Sequence, residues 1–232
     1  MENLKSIKCK DCKTRNCSVF ADSNVKILKE IDEIKTSILY KKGEKLFEEG
    51  KFPRGLFCVS KGKVKVYQQG AEGKEQIVHM IRDGNIMGHR ALFGNDTYSC
   101  SAIALEDTEV CFLPKTEFYD LIRRDGDLTL RIAQLLADEL KEAEESITYA
   151  TQQPILVRLV KALLVLQAQF GFDKDEQTLN IEIKRDDLSD LVGTTRETAT
   201  RCLYKLQEQN LILLEGRKIK IKQLSKLRKL IE

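Results

Sequence analysis

Residues 186–203 read Asp186-Asp187-Leu188-Ser189-Asp190-Leu191-Val192-Gly193-Thr194-Thr195-Arg196-Glu197-Thr198-Ala199-Thr200-Arg201-Cys202-Leu203. The pattern predicts two helices joined by a tight turn. Leu188, Leu191 and Val192 share one face of the first helix by their three- and four-residue spacing. Gly193 stands where that helix must stop and the chain must reverse. Thr195 is suited to cap the next helix, and Glu197 falls in its first turn, where a negative charge is favoured. Ala199, Cys202, Leu203 and Leu206 then form a buried stripe, which leaves Arg196, Glu197, Thr200, Arg201 and Lys205 outward. A helix presenting Arg, Glu and Thr from its first turns can reach base edges in a major groove. A helix–turn–helix is expected, against the plainer alternative of a helical hairpin with a solvated charged face.

The flanking sequence decides between the two. Leu211-Ile212-Leu213-Leu214 and Ile219-Lys220-Ile221-Lys222 are strand-like runs around Glu215-Gly216-Arg217-Lys218, a hairpin or wing with a basic edge. From Leu179 onward there are 12 Lys and Arg against 8 Asp and Glu. Basic residues gathered on one helix and its wing mark a phosphate-binding surface. Thr195, Arg196, Glu197, Thr200, Arg201, Lys205, Arg217 and Lys218 are the candidate DNA contacts.

Upstream, Leu179–Ile183 is expected as a short strand leading into the motif, and 154–170 as a strongly apolar helix. A long helix from about Leu128 to Gln152 should end at Pro154. Along it Ala133, Leu136, Leu140, Ala143, Ile147 and Ala150 recur in threes and fours, a heptad seam over about three repeats. Asp138, Glu139, Glu142, Glu144 and Glu145 flank that seam. Self-pairing explains a long free helix between two globular units. It also suits a helix–turn–helix protein, which binds a palindromic operator as a homodimer.

Between Tyr40 and Pro114 the pattern turns to β. The runs Lys45–Phe47, Gly55–Ser60, Lys63–Gln68, Glu75–Ile81, Ser99–Leu105 and Glu109–Leu113 are punctuated by turn glycines, which predicts an antiparallel jelly roll of about eight strands. A helix handing over to a strand precedes it in residues 25–40, and Phe118–Ile122 makes a short helix that Gly126 ends. His79 alternates with apolar neighbours and is most simply structural. His89 is expected on a loop where a ligand could be met.

The bulk numbers bound the function. The chain has 232 residues, a net charge of +3, 42 % hydrophobic and 32 % charged residues, and 7 cysteines. That is an ordinary globular composition. No apolar run approaches the ~18 residues of a membrane span, and the first residues lack a signal-peptide core, so a cytoplasmic protein is expected. Thiols or metal ligands are then expected rather than disulfides. Cys9, Cys12 and Cys17 have the spacing C-x2-C-x4-C among lysines, and nearby positive charge should favour thiolates. Soft ligands in this number suit zinc or an iron–sulfur cluster, against idle thiols on a flexible tail. Cys58, Cys100 and Cys202 sit in apolar settings and are expected in cores. The chain has no nucleophile–base pair, P-loop or dinucleotide fingerprint, so a non-enzyme is expected.

The whole order of cysteine tail, jelly roll, long helix and winged helix–turn–helix resembles the CRP/FNR family of bacterial transcription regulators. The implied fold is α+β. It assigns residues 1–24 to a cysteine-rich segment, 25–124 to a cyclic-nucleotide-binding-like sensor domain, 125–153 to a dimerisation helix and 154–232 to the DNA-binding domain. The family's E-x-x-S/T-R pattern matches Glu197, Thr200 and Arg201, which by resemblance read the half-site, and RNA polymerase is an implied partner. In cyclic-nucleotide members a G-E motif holds the ribose and a later R-S/T pair holds the phosphate. Here the stretch Gly88–Ser101 has His89 at the glutamate position and no arginine before Ser99 or Ser101. A buried phosphate would lack charge-assisted bonds, which argues against cyclic AMP. The FNR-type oxygen-sensing branch holds a [4Fe–4S] cluster on an N-terminal cysteine group and one jelly-roll cysteine. The run Ala104–Pro114 looks like the stretch carrying the latter and places Cys111 beside Cys9, Cys12 and Cys17. The last N-terminal spacing is four residues here and five in that branch. A structural zinc, a haem on His89 or a small-molecule effector are the alternatives.

Overall fold

A computed structural model describes residues 2–3, 7–70, 73–94 and 96–231, without the side chains of Glu2, Asn3 and Cys17. The chain divides into two compact units. One comprises residues 1–69 with 78–141, the other 70–77 with 142–232.

The first unit is a β-sandwich with helices packed outside it. Its strands are β1 (Glu2–Asn3), β2 (Thr36–Tyr40), β3 (Lys45–Phe47), β4 (Gly55–Lys61), β5 (Lys63–Gln69), β6 (Glu75–Arg82, which begins in the second unit), β7 (Ile86–Met87), β8 (Ser101–Ala104) and β9 (Thr108–Pro114). They form two sheets, ordered β1-β2-β9-β4-β7 and β3-β8-β5-β6. Helix α1 (Val25–Ile34) enters β2 through Lys35. The short α2 (His89–Gly94) follows β7, and α3 (Lys115–Arg124) follows β9. Asn24 caps α1 by accepting from the Ile27 N–H at 3.0 Å, as short polar side chains do at helix starts.

Strand alternation sorts this unit into two cores, because successive side chains leave a strand on opposite faces. Phe57 and Val59 of β4, with Val110 and Phe112 of β9, point between the sheets toward Tyr40, Phe47, Val64 and Ala102. Their neighbours Leu56 and Leu113 point outward and pack with Phe20, Ile27, Ile31, Phe118, Leu128 and Ile132. The jelly-roll expectation holds, with strand ends moved by one or two residues.

The long helix α4 (Gly126–Gln152) is buried only at its start, on Leu128 and Ile132. Gly126 opens this helix, and the helix before it is longer than the expected 118–122. The expected seam faces solvent within one chain. Ala133, Ala143 and Ala150 are exposed, Leu140 is 62 % and Ile147 66 % exposed, and Leu136 is half-buried.

In the second unit α5 (Ile155–Phe170) buries Leu159, Val160, Leu163 and Leu166. It packs against α6 (Arg185–Val192), α7 (Arg196–Glu208) and α8 (Leu224–Lys229). Strands β10 (Ile212–Glu215) and β11 (Lys218–Ile221) form the hairpin, with Glu215 opposite Lys218. The expected strand at Leu179–Ile183 does not form. Only isolated bridges, Phe172–Leu179 and Thr178–Lys220, occur there. Leu179, Ile181 and Ile183 are buried all the same, so their alternation reports burial without a full partner strand. Helix α8, whose Leu227 is buried, is absent from the sequence reading.

Candidate functional sites

The turn between α6 and α7 is built as its residues dictate. Gly193 adopts φ +70°, the left-handed conformation that glycine takes without a Cβ penalty. Thr195 caps α7 by accepting from the Thr198 N–H at 3.2 Å. Ala199, Leu203 and Leu206 are buried, and Cys202 is half-buried. The opposite face forms a shallow open groove lined by Arg196, Glu197, Thr200, Arg201, Tyr204, Lys205 and Glu208, and Cys202, expected in the core, reaches its edge. Thus the outward residues expected from the spacing lie together. Tyr204, 54 % exposed on this face, is a member that sequence reasoning missed. Its position three residues after Arg201 was the available signal. Arg196 pairs with Asp186 at 3.4 Å. Arg201 donates to the Thr198 hydroxyl at 3.5 Å.

Arg217 and Lys218 are exposed at the hairpin. Arg185 donates to the Gly216 carbonyl at 3.0 Å, which ties the wing turn to the start of α6. Lys220 is occupied by Glu215 at 3.3 Å and Asp175 at 3.6 Å.

The cysteine tail covers the outer face of the first sheet. Cys9 and Cys12 belong to a first 3-10 turn and its end, and Cys17 closes a second, Arg15–Cys17. Cys9, Cys12, Cys58 and Cys111 line one cavity, together with Ile7, Phe20, Leu28, Ile31, Lys35 and Leu113. Cys58 and Cys111 are directly opposed on β4 and β9. Cys58 therefore joins this chamber, correcting its expectation as a mere core thiol. Alternation with Phe57 and Val59 gives it the same parity as Cys111, a signal present in the sequence. Cys100, in contrast, packs against the sandwich core.

Segment and sheet are joined by polar bonds. Asp32 accepts from the Cys9 N–H at 2.7 Å. Lys35 donates to the Ile7 carbonyl at 2.5 Å and to Cys9 Sγ at 3.1 Å, and pairs with Asp32 at 2.8 Å. At Cys9 the expected ease of thiolate formation is not met. Burial raises the Cys9 thiol to about 11 despite the neighbouring Lys35, and burial likewise raises Cys58 and Cys111. Removing water penalises the charged form more than the lysine favours it. Among the described residues, no three His, Cys, Asp or Glu side chains converge as a single metal ion requires.

His89 is not on an open loop. It begins α2, is 4 % exposed, and its Nε2 lies 2.9 Å from Oε2 of Glu139 on α4. Arg90 Nε donates to the same oxygen at 2.8 Å, and its Nη2 lies 2.7 Å from His79 Nε2. Burial raises the Glu139 carboxyl, but the bonds and charges of His89 and Arg90 outweigh it and hold the group at about 2. Burial, and then the Arg90 charge, lower His79 to about 4.

The comparisons fit this architecture. The cyclic nucleotide-binding domain model matches residues 38–125, and the Crp-like helix-turn-helix domain model matches residues 157–230. The chain is 31 % identical over 176 residues to the cyclic AMP receptor protein of Thermus thermophilus, covering 76 % of this chain and 79 % of that one. It is 29 % identical to the fumarate and nitrate reduction regulatory protein of Vibrio cholerae, over 93 % of this chain and 87 % of the other. A transcriptional regulator of the CRP/FNR family, also from Thermus thermophilus, superposes with a TM-score of 0.71 at 26 % identity, covering 84 % and 97 % of the two chains. The chain is a DNA-binding transcription regulator rather than an enzyme. It belongs to the CRP/FNR family. Among its described residues no helix is long and apolar enough to cross a membrane.

The histidine network gives a pH dependence. The unfolded chain protonates His79 near 6.5, whereas the folded chain resists until about 4. Folding stability is therefore full above pH 6.5 and declines as pH falls toward 4. Glu139 acts lower, its contribution present above about 4.5 and lost as pH falls through about 2. Denaturant unfolding at pH 7 and pH 5 should show the decline, and His79→Gln should shrink it. An undiminished decline in His79→Gln would assign it to other groups.

Proposed function

We propose that this chain is a cytoplasmic, homodimeric regulator that reads a palindromic operator and senses oxygen or redox state through a [4Fe–4S] cluster held by Cys9, Cys12, Cys17 and Cys111. Residues 1–24 and 25–124 would sense, 125–153 would pair, and 154–232 would bind DNA and present the regulator to RNA polymerase. One observation carries the sensing part. Cys9 and Cys12, remote in sequence from Cys111, line the same apolar cavity.

The donor set fits such a group. Soft sulfurs at the corners of an apolar chamber suit an iron–sulfur cluster. A cubane presents separate corners, so its ligands need not meet at the single point that one ion demands. When bound, the cluster supplies ligation that oxygen can destroy. The protein's part is transmission. Arg131 of α4 donates to the Val19 carbonyl at 2.7 Å and to the Ser23 hydroxyl at 3.2 Å, which fastens the end of the cysteine segment to the start of the seam. Glu144 and Glu145 flank Ile147 on the exposed part of α4. Facing their own copies, they oppose pairing by a few tenths of a kcal/mol or more. The small Ala133, Ala143 and Ala150 contribute little apolar area in return. The seam is thus the marginal, two-state element that a switch requires.

Protein purified without air should contain iron and acid-labile sulfide, and should sediment as a dimer. Air should convert it to monomer with loss of operator binding, whereas Glu145→Ala should remain dimeric in air. A parent dimer that persists in air, or in Cys111→Ser, would remove the switch. Zinc without sulfide would leave a DNA reader with a structural metal.

On DNA, Arg201 would make two bonds to a guanine and Glu197 would accept from a cytosine amino group. Thr195, Arg196, Thr200 and Lys205 would contact the same groove, and Arg217 and Lys218 the flanking phosphates. Arg201→Ala should cost about 1–3 kcal/mol and relax specificity at one base pair of each half-site. Lys218→Ala should weaken all sequences evenly. Unchanged operator affinity in Arg201→Ala, measured by fluorescence anisotropy, would reject the assigned register of α7.

Cyclic AMP is not the effector in this reading. His89 and Arg90 are both held by Glu139, and no arginine precedes Ser99 or Ser101. A ligand at a hundredfold excess over its Kd adds about 2.7 kcal/mol to stability. Millimolar cyclic AMP should therefore leave the melting temperature unchanged, and a clear rise would overturn the reading of this pocket.

A further inference from the structure

Lys35 is an unusual residue to find inside a protein. Its side chain is 1 % exposed, although lysine is among the residues least often buried. Two of its three ammonium protons have strong acceptors, the Ile7 carbonyl and the Asp32 carboxylate. The third points at Cys9 Sγ, 3.1 Å away. A neutral thiol is a weak acceptor. A thiolate is a strong one, because charge assistance roughly doubles a hydrogen bond. The ammonium is therefore held in a geometry well suited to a charged sulfur at Cys9. Cys111 also lies within the electrostatic reach of this ammonium.

We propose that Lys35 is the buried counter-cation of the cluster site, a positioning residue whose ammonium donates to the Cys9 sulfur and sets how readily the bound cluster gains or loses an electron. The proposal rests on the cluster reading above. Four thiolates around a [4Fe–4S]2+ core carry a net charge of −2, and one-electron reduction makes it −3. A cation held against a ligand sulfur in a low-dielectric chamber stabilises the more negative state. Hydrogen bonds to the sulfurs and local charge are the protein's means of tuning such clusters. Asp32, which fixes both Lys35 and the Cys9 N–H, acts with the opposite sign.

A purely structural anchor predicts something different. Lys35 and Asp32 fasten the same segment, so losing either would loosen it in the same sense. The electrostatic role predicts opposite shifts. The test is the midpoint potential of anaerobically purified full-length protein, with the rate of cluster bleaching in air as a second readout. Lys35→Met should move the midpoint to more negative values and bleach several-fold faster. Lys35→Arg should stay near the parent. Asp32→Asn, which keeps the shape and an acceptor oxygen, should move the midpoint to more positive values and bleach more slowly. Unchanged midpoints, or shifts of the same sign in Lys35→Met and Asp32→Asn, would overturn the proposal. If Lys35→Met fails to load, Asp32→Asn decides alone: a positive shift supports the role and no shift overturns it. A parent protein without iron and sulfide would defeat the cluster reading itself, and this inference with it.

Discussion

The period of two along β4 and β9 is the constraint on which the first unit depends. Each strand must supply two cores, because both of its faces are covered. Phe57, Val59, Val110 and Phe112 fill the sandwich, and Leu56 and Leu113 meet the helices. The register that opposes Cys58 to Cys111 sets two sulfurs side by side on the outer face. A one-residue slip would exchange every one of these side chains between faces. The chamber thus shares its register with the hydrophobic core, and a change in one disturbs the other.

Helix α4 reconciles two demands. Leu128 and Ile132 bury its start against the helices and outer sheet face of the first unit, and Arg131 grips the tail between them. Further along, Glu139 accepts from His89 and Arg90 through a single oxygen. Beyond it the helix carries apolar residues that none of the described residues covers, Leu140 and Ile147 foremost. Both the cysteine segment and the jelly-roll pocket position therefore touch one helix, at different turns.

Much of this was legible from residue spacing. The helix–turn–helix was readable because Gly193, Thr195 and the stripe Ala199, Leu203, Leu206 encode stop, cap and face within a few residues, and such local signals survive folding. The outward set on α7 followed from the same helical period. The strands followed from alternation and turn glycines. What escaped were matters of tertiary placement. His89 looked accessible because its partner Glu139 lies 50 residues away. The burial of Lys35 was not legible, because no local pattern announces burial of a charge. The segment Leu179–Ile183 alternates like a strand, yet it makes only scattered bonds to the hairpin, through the Leu179 and Ile183 N–H groups, and no continuous ladder. The ionisation of the thiols was misjudged because adjacent lysines are visible in a sequence and desolvation is not.

The raised Cys9 thiol has a consequence for the reactivity of the cavity. At about 11, only about one molecule in ten thousand carries the thiolate there at neutral pH, and the thiolate is the form that attacks electrophiles and disulfides. Cys58 and Cys111 are likewise raised by burial, so these three sulfurs are chemically quiet. As thiols they resist alkylation and mixed-disulfide formation. Desolvation, which disfavours the charged sulfur, is also what protects it.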